Sequence, residues 1–385
     1  MSSYPPSSMP SPDQPLQAAI DLLCRLIATP SLSREEEKTA GIIEQFLKEQ
    51  GCTTFRKGNN VWVRSMIEER MPTVLLNSHH DTVKPVTSWT RDPFTPVVEN
   101  GKLYGLRSND AGASLVSLMM TFLHLAKQKD RTYNLIYAAT AEEEITGKNG
   151  IALIMDDLGT LDLAIVGEPT QMQMAVAEKG LMVLDCETVG KTGHAARNEG
   201  VNAIYLAMDD MDWFRNFVFP ISSPLLGEVK MTVSLVNAGY QHNIVPDSCK
   251  YVVDVRTNEF YTNNEALDII CKNMKNSIVT PRSTYINSSS IAMEHPLVQR
   301  GLSLGLTAFG SPTTSDQARI PYPSMKIGPG DSARSHTSDE YILLDEIQNG
   351  IETYIQLLCA SGRECGRQRH KNLNKCDNKA RLVKP

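Results

Sequence analysis

Four short, strongly apolar segments constrain the fold of this chain more than any other feature of its sequence. Runs of this kind are typical of strands that helices bury on both faces. A segment with helical spacing, at 111–128, separates the second run from the third. The alternation predicts an α/β domain in which helices cover both faces of a sheet. The four runs are VWVRS at 61–65, TVLLNS at 73–78, NLIYAAT at 134–140 and LDLAIVG at 161–167.

Two helices are predicted before the first of these strands. PLQAAIDLLCRLIA, at 15–28, has its apolar residues at helical spacing. The next helix is predicted to begin at Ser33, with Glu36 three residues later as a capping box, and to run to Gly51.

The pattern changes near residue 180, where alternating strands replace the fully apolar ones. The segments there follow the order β-α-β-β-α-β, which is the ferredoxin-like split unit. The larger pattern resumes at 295, with PSMKIG as a further strand and 342–360 as a closing helix. A small domain is therefore predicted to be inserted into a larger one. Its segments are strands at 181–190, 230–239, 249–258 and 283–289 and helices at 201–217 and 265–276.

The net charge of −6 conceals a basic C-terminal end. Residues 361–385 hold eight Lys or Arg against Glu364 and Asp377, so this end carries +6 and the rest of the chain −12. An acidic body shows no signature of nucleic-acid binding. A solvated, disordered tail is favoured over a tail that binds nucleic acid or an anionic surface.

The composition, with 41% apolar and 21% charged residues, is that of an ordinary globular protein. No run approaches the roughly 18 apolar residues that cross a bilayer, and the start of the chain has no export signal. The eight cysteines are scattered without a paired spacing. These features predict a cytoplasmic protein with reduced thiols and with neither a membrane nor a nucleic acid as its partner.

Acids and histidines cluster where the apolar segments of the larger domain end. In open α/β sheets the ligand crevice lies outside the carboxyl ends of the strands, so these side chains are expected to converge. Their positions are His79 and Asp81 after the second run, Asp110 before the helix at 111–128, Glu142, Glu143 and Glu144 after the third run, Glu168 after the fourth, and His336 after PSMKIG.

Crowded carboxylates raise one another's pKa and resist ionising together, and divalent cations remove that penalty. Two histidines with several acids and no cysteine suit zinc or a similar metal, and a shared carboxylate can bridge two ions about 4 Å apart. Each element alone has another interpretation: His79 and Asp81 as a surface pair, the glutamate run as a solvated helix start, and 167–169 as a turn. Their occurrence together at successive strand ends favours a dinuclear site.

Seven motifs occur in order along the chain: SHHDTV, GLRSNDAG, ATAEEEITG, IVGEPT, GKTGHAARNEGVNAI, NIVPDS with VVDVR, and KIGPGDSARSHTSDEYI. They resemble those of the dinuclear zinc deacylases and carboxypeptidases that include acetylornithine deacetylase and succinyl-diaminopimelate desuccinylase. The resemblance covers roughly residues 15–360. It implies an α/β, zinc-peptidase-like catalytic domain with an inserted α+β ferredoxin-like lid and dimerisation domain.

The domain boundaries follow from the patterns and the resemblance together. The catalytic domain is expected in two parts, separated by the inserted domain, between a disordered leader and a basic disordered tail. The expected ranges are 1–14 for the leader, 15–179 and 290–360 for the catalytic domain, 180–289 for the inserted domain and 361–385 for the tail.

Carried over residue by residue, the resemblance implies two divalent metal ions, with zinc expected and cobalt as the other candidate. His79, Asp110 and Glu168 would bind one ion. Asp110, Glu144 and His336 would bind the other. Asp110 is then the bridging ligand.

The resemblance also assigns catalytic roles. Asp81 would hydrogen-bond His79 and fix its orientation. Glu143 would be the general base, with Glu142 as its neighbour, and a shift of one residue in this run would exchange the roles. His194 would donate a hydrogen bond to the oxyanion across a dimer interface, so a homodimer is expected.

Arg256 and Asn243 are the expected contacts of a substrate carboxylate, and Gly330 belongs to a glycine turn that admits the substrate backbone. The chain departs from the common family pattern at two places. Ala111-Gly112 follows Asp110 where Lys-Gly is common, and His80 stands where an apolar residue or Thr is usual. His80 is expected to be an inert rim residue or a competing ligand.

The function that the resemblance implies is removal of the acyl group from an N-acyl amino acid, with N-acetylornithine as the first substrate. The other candidates are N-acetylcitrulline, an N-succinyl amino acid and a dipeptide. A different class also stays open, an inactive homologue that binds amino-acid derivatives. The presence of every expected ligand and of the base in the sequence argues against that class.

Overall fold

The computed structural model describes residues 15–359, and the predicted leader and basic tail lie outside the described residues. None of the helices in this range is long and apolar enough to cross a membrane. The helices are α1 (Pro15–Ile27), α2 (Glu37–Glu49), α3 (Ala113–Leu125), α4 (Ile151–Leu158), α5 (Ala203–Asn216), α6 (Asn263–Asn273), α7 (Pro296–Ser303) and α8 (Leu344–Leu358). The strands are β1 (Thr54–Lys57), β2 (Asn60–Ser65), β3 (Thr73–His79), β4 (Val97–Glu99), β5 (Lys102–Tyr104), β6 (Asn134–Thr140), β7 (Leu163–Val166), β8 (Met174–Glu178), β9 (Met182–Val189), β10 (Lys230–Ala238), β11 (Ser248–Arg256), β12 (Ser277–Pro281), β13 (Ser289–Ser290), β14 (Ala308–Ser311), β15 (Ser324–Lys326) and β16 (Tyr341–Leu343).

The large sheet has nine strands, and the four predicted apolar segments lie next to one another within it as β2, β6, β3 and β7. The strand order is β1-β2-β6-β3-β7-β15-β8-β13, and β14 pairs with β8. β3 runs parallel to both of its neighbours, β6 and β7. Because these three strands are parallel, their carboxyl ends meet at one edge of the sheet.

Helices cover both faces of this sheet because successive side chains of a strand point to opposite faces. Leu76 of β3 packs into a core that includes residues of α1, α2, α3 and α8. Its neighbour Leu75 packs on the other face, in a cluster with Ile151 and Ile154 of α4. All seven residues of β3 are buried, which explains why its apolar run is almost unbroken.

The smaller domain is a four-stranded antiparallel sheet with the order β10-β11-β9-β12, and α5 and α6 contribute to its core. Its elements follow the β-α-β-β-α-β order predicted from the sequence. Met182, Leu184 and Cys186 of β9 are buried, whereas Asp185 between them is exposed. A sheet with one covered face requires this alternation of apolar and polar residues.

The last strand of the smaller domain is not the one predicted. β12 occupies 277–281, whereas the prediction placed the strand at 283–289. The predicted segment instead returns the chain to the large sheet. Ser288 Oγ donates to the carbonyl oxygen of Glu178 at 2.6 Å, and β13 then pairs with β8. Residues 283–289 are therefore the segment that connects the smaller domain to the large sheet.

The predicted start of α2 is also wrong. The helix begins at Glu37, and Glu36 forms no capping box because its buried side chain accepts a hydrogen bond from Asn59 Nδ2 at 2.8 Å. Ser33 Oγ donates to Asp81 at 2.7 Å and is not a helix cap. Both polar residues thus tie the loop before α2 to the edge of the sheet where Asp81 lies.

Asp210 of α5 is a buried carboxylate that holds the loop between α6 and β12. It accepts hydrogen bonds from the backbone N–H groups of Lys275 (2.9 Å) and Asn276 (3.0 Å) and from Ser277 Oγ (2.6 Å). We expect Asp210→Ala to lower the free energy of unfolding by about 2 kcal/mol, because it leaves these donors unpaired. Urea denaturation measures the effect, with Asp210→Asn as the milder control. An alanine variant as stable as the wild type would contradict the assignment.

Candidate metal centre

Three parallel strands deliver most of the candidate ligands to one edge of the large sheet. His79 is the last residue of β3. Glu143 and Glu144 follow the end of β6 by three and four residues, and Glu168 follows the end of β7 by two. Asp110 lies just before α3. The convergence that the sequence predicted therefore comes from the parallel pairing of β3 with β6 and β7.

The two imidazoles approach Asp110 from different sides. His79 Nε2 lies 3.5 Å from Asp110 Oδ1, and His336 Nε2 lies 3.5 Å from Asp110 Oδ2. His79 Nε2 is also 3.8 Å from Glu143 Oε2 and 3.8 Å from Glu168 Oε1. His336 Nε2 is 3.0 Å from Glu144 Oε2. One carboxylate between two imidazoles, with further glutamates beside each imidazole, is the arrangement that a bridging ligand requires.

The chemistry of these side chains fits divalent cations. His79 Nε2 and Glu168 Oε1 are buried and have no hydrogen-bond partner among the described residues. Two groups of side chains could each hold an ion, because the ligand atoms within each group lie within 4.8 Å of one another. One group is His79, Asp110 and Glu144, and the other is His79, Glu143 and Glu168. Imidazole and carboxylate donors without a thiolate suit zinc and similar metals. Buried polar atoms without a hydrogen-bond partner destabilise a fold unless an ion binds them.

The carboxylates of the cluster carry perturbed pKa values. Burial raises the pKa of Glu168 to about 8, and the charge of Asp110 acts in the same direction. Burial also raises the pKa of Glu143 well above its usual range, helped by the charges of Glu168 and Asp316. The hydrogen bond to Glu144 raises the pKa of His336 to about 9. Without metal the cluster therefore holds extra protons at neutral pH.

Asp81 connects the first histidine to the glutamate loop. Its Oδ1 lies 3.3 Å from His79 Nδ1, the residue that the family resemblance gives it as a partner. It also accepts hydrogen bonds from the backbone N–H groups of Glu143 (3.1 Å) and Glu144 (3.2 Å), which the sequence did not reveal. A single buried carboxylate thus positions an imidazole and the two glutamates beside it.

Glu340 is a residue of the site that the sequence analysis missed. It accepts hydrogen bonds from the backbone N–H groups of Arg107 (3.2 Å), Asn109 (2.7 Å) and Asp110 (2.9 Å), and burial raises its pKa to about 8. It therefore fixes the loop that presents Asp110. The only signal in the sequence was its place four residues after His336, within the last motif.

Asp316 is a second missed acid. It is buried, accepts a hydrogen bond from Thr140 Oγ1 at 2.6 Å, and has a pKa that burial raises to about 6. Thr140 is the last residue of β6, so Asp316 lies beside the start of the glutamate loop. Its neighbours in the sequence, Thr314 and Ser315, carry no metal-binding pattern that would have identified it.

His80 and Glu142 point away from the cluster. The His80 ring is buried, with Nδ1 2.9 Å from Thr39 Oγ1 and Nε2 2.9 Å from the carbonyl oxygen of Asn59, and burial lowers its pKa to about 4. Both expectations for His80, a rim residue and a competing ligand, are therefore wrong. Glu142 accepts two hydrogen bonds from Asn149, at 2.8 and 3.2 Å. Glu143 and Glu144 are the members of the run that face the imidazoles.

A cleft of about 460 Å³ opens onto the cluster and is lined by four of its carboxylates and by His336. We call it the metal cleft. Of the expected substrate contacts, Gly330 directly precedes Asp331, which lines the cleft, and a Cβ at Gly330, where φ is +93°, would overlap Asn109 Oδ1. Only glycine fits such a position.

The other expected substrate contacts, Arg256 and Asn243, and the expected oxyanion donor His194 lie on the smaller domain and do not line the metal cleft. The Arg256 guanidinium binds Asp254 through two hydrogen bonds, of 2.8 and 3.1 Å. His194 and Asn243 are exposed and adjacent, because the N–H of Ala195 donates to the carbonyl oxygen of Asn243 at 3.0 Å. The structure of the described residues thus brings the candidate metal ligands together but leaves these three residues apart from them.

Residues 75–360 match the family described as Peptidase family M20/M25/M40. The chain belongs to this family. Acetylornithine deacetylase of Proteus mirabilis is 25% identical to it, over 89% of this chain and 96% of that protein. Succinyl-diaminopimelate desuccinylase of Stenotrophomonas maltophilia is 26% identical, over 63% of this chain and 69% of that protein.

Solved structures of the family share the fold. Aminopeptidase PepT of Bacillus cereus has a TM-score of 0.70 at 17% identity, covering 89% of this chain and 98% of its own. A Bacillus subtilis protein described as a dinuclear metal binding peptidase has a TM-score of 0.66 at 16% identity, covering 90% and 98%. The fold class and the family resemblance predicted from the sequence are confirmed. The chain is a metal-dependent hydrolase of the M20 family, whose members act on amide bonds.

Metal binding by the metal-free protein should release protons. With pKa values of about 8 for Glu168 and about 9 for His336, both groups are protonated at pH 7 and must lose their protons to bind a cation. Burial opposes it, but the charge of Glu143 and the hydrogen bonds to Asp110 and Asp81 raise the pKa of His79, a third candidate ligand, well above its usual value. We expect zinc to release about three protons per protein at pH 7, and its affinity to rise as the pH increases from 6 to 9. Calorimetry in two buffers of different ionisation enthalpy counts the protons. Glu168→Gln should release about one proton fewer, and an affinity independent of pH would contradict this result.

Proposed function

We propose that the chain removes the acyl group from an N-acyl amino acid, with N-acetylornithine as the first substrate and arginine biosynthesis as its context. The observation that carries the proposal is the convergence of two imidazoles and four carboxylates, with Asp110 between His79 and His336. The relative named acetylornithine deacetylase, which aligns over nearly its whole length, supports this choice of substrate. The bond broken is the amide between the acyl carbonyl carbon and the amino nitrogen.

Two divalent ions, zinc in the first place and cobalt as the alternative, would be held by these ligands. In this proposal, which follows the family resemblance, His79, Asp110 and Glu168 hold one ion, and Asp110, Glu144 and His336 hold the other. When bound, such ions lower the pKa of water and polarise an amide carbonyl. The unpartnered Nε2 of His79 and Oε1 of Glu168 support this assignment.

Glu143 would move the proton. Its Oε2, 3.8 Å from His79 Nε2, reaches the centre of the cluster without the hydrogen bonds that occupy Glu142. It accepts the proton of the attacking water and passes it to the departing nitrogen, so that an acid and an amine leave. Its buried position beside His79 suits a group that must hold that proton between the two steps.

We further propose that a homodimer completes the site. His194 and Asn243 are exposed on the smaller domain and do not line the metal cleft, so their action there requires a moved domain or a second copy. β10 is an edge strand with Leu235 and Val236 exposed, which suits pairing between copies. Arg256 would contact the substrate carboxylate after giving up part of its bond to Asp254.

Deacylation of N-acetylcitrulline or an N-succinyl amino acid, and dipeptide cleavage, would use the same cluster. The similarity to the relative named succinyl-diaminopimelate desuccinylase supports the N-succinyl candidate. An inactive binding protein is disfavoured, because the ligands and Glu143 are all in place. A cytoplasmic location stays a prediction from the sequence.

Release of free amine from a panel of N-acyl amino acids tests the activity. We expect turnover with zinc or cobalt, loss of turnover after chelation, and a decrease in kcat of about 10²- to 10⁴-fold in Glu143→Gln with metal content retained. Glu142→Gln is the matched control, because Glu142 binds Asn149 and should affect stability more than kcat. Activity that remains after exhaustive chelation would contradict the proposal.

Mixing two inactive variants tests the dimer. His194→Ala should lose about 10²- to 10³-fold in kcat if it removes an oxyanion donor. A mixture with Glu143→Ala, after subunit exchange, should recover about one quarter of wild-type activity, because mixed dimers hold one complete site. Sedimentation measures the oligomeric state in parallel. No recovery from a demonstrated mixed dimer would rule out action across the interface.

A further inference from the structure

A buried ion pair lies behind the metal cleft. Lys326 Nζ is 3.2 Å from Glu178 Oε2, and both side chains are almost completely buried. Lys326 is the one buried lysine in the range 15–359. An ion pair of this kind is expensive to desolvate, and apolar side chains of similar volume often stabilise a fold as well. Its presence beside a catalytic cleft therefore calls for a functional explanation.

Each end of the pair holds one loop, residues 311–315, which we call the wall loop. Lys326 Nζ donates to the carbonyl oxygen and to Oγ1 of Thr313, both at 3.1 Å. Glu178 accepts from the N–H of Ser315 at 3.2 Å and from its Oγ at 2.8 Å. The ion pair thus fixes the wall loop at two points.

The wall loop borders the reacting groups. Its residues from Ser311 to Thr314, with Lys326, line the same cleft as Asp110 and Glu168. β15 pairs with β7 so that Lys326 lies opposite Val166, two residues before Glu168. The ion pair is therefore placed where a group bound beside the cluster would meet it.

The ammonium group of Lys326 already has a partner for each of its protons. Its ammonium has three protons, and its three contacts are Glu178 Oε2, the carbonyl oxygen of Thr313 and Thr313 Oγ1. Among the described residues that line the metal cleft, the only other side chain able to carry a positive charge is His336, a candidate metal ligand. Within residues 15–359, no cationic side chain is therefore free to face a substrate in the metal cleft. The wall loop offers instead the hydroxyl groups of Thr313 and Thr314 and the apolar ring of Pro312.

We propose that Glu178 is a specificity-determining residue that withholds Lys326 from the substrate, so that the cleft accepts uncharged acyl groups and rejects acyl groups with a second carboxylate. This inference rests on the proposed deacylation. Glu178 acts through Lys326 and the wall loop, and touches neither the metal ligands nor the scissile bond. With Glu178 neutral, the ammonium is free to bind a carboxylate from the cleft.

The test compares Glu178→Gln with the wild type on N-acetyl and N-succinyl forms of one amino acid. We expect the wild type to prefer the acetyl form, and Glu178→Gln to shift the ratio of kcat/KM towards the succinyl form by about tenfold, mainly through KM. Lys326→Met is the matched control, because it breaks the same pair but leaves no cation, and should give no such shift. Equal shifts in both variants, or none in Glu178→Gln, would overturn the inference.

Binding of succinate to the zinc-loaded proteins supplies a readout that needs no turnover. Calorimetry should show about tenfold tighter binding by Glu178→Gln than by the wild type and no gain in Lys326→Met. Zinc content is measured in each protein, since the charge of Lys326 also lowers the pKa of Glu168. A wild type that hydrolyses neither substrate fails the proposed function, whereas this binding comparison still decides the role of Glu178. Equal succinate affinity in all three proteins would refute that role.

Discussion

Crowding of negative charge at one edge of a sheet is the constraint on which the rest of this structure depends. Asp110, Glu143, Glu144 and Glu168 lie around two imidazoles, with His79 Nε2 within 3.8 Å of three of them. The fold imposes this crowding, because parallel pairing brings the ends of β3, β6 and β7 together. Cations remove the electrostatic penalty, so metal binding and the stability of this edge are coupled.

A second layer of carboxylates turns this crowding into a defined geometry. Asp81 holds the backbone N–H groups of the glutamate loop, and Glu340 holds those of the loop that carries Asp110. The buried guanidinium of Arg107 compensates both, since their charges act on it although burial lowers its pKa to about 10. Arg107 has φ +79°, an unusual conformation for a side chain of this size, which places it at the turn into the Asp110 loop.

The sequence predicted those parts of the fold and site that local patterns encode. The apolar runs identified β2, β3, β6 and β7, and polar residues at their ends identified His79 and Glu168, because strand ends place ligands in a predictable way. Glu340, Asp316 and the pair of Glu178 with Lys326 had no such signal. Their roles arise from contacts between segments that only the folded chain brings together, 148 residues apart for that pair. The errors in β12 and in the start of α2 have the same origin. The pairing of β12 with β9 and the hydrogen bonds of Ser33 and Glu36 to distant residues decide where these elements lie.

The two histidines of the site differ in how far solvent reaches them, and this difference distinguishes the buried side of the cluster from the side that a substrate can reach. The His79 side chain is 1% exposed and the His336 side chain is 53% exposed, so the cluster is closed behind His79 and open beside His336. A substrate therefore approaches from the open side, along the cleft that the wall loop lines. The buried side is fixed by strand ends and their carboxylate supports. The open side is built from loops, which can change without disturbing the sheet. A common metal cluster can thus serve different amide substrates, as long as the walls of the cleft decide which one is held there.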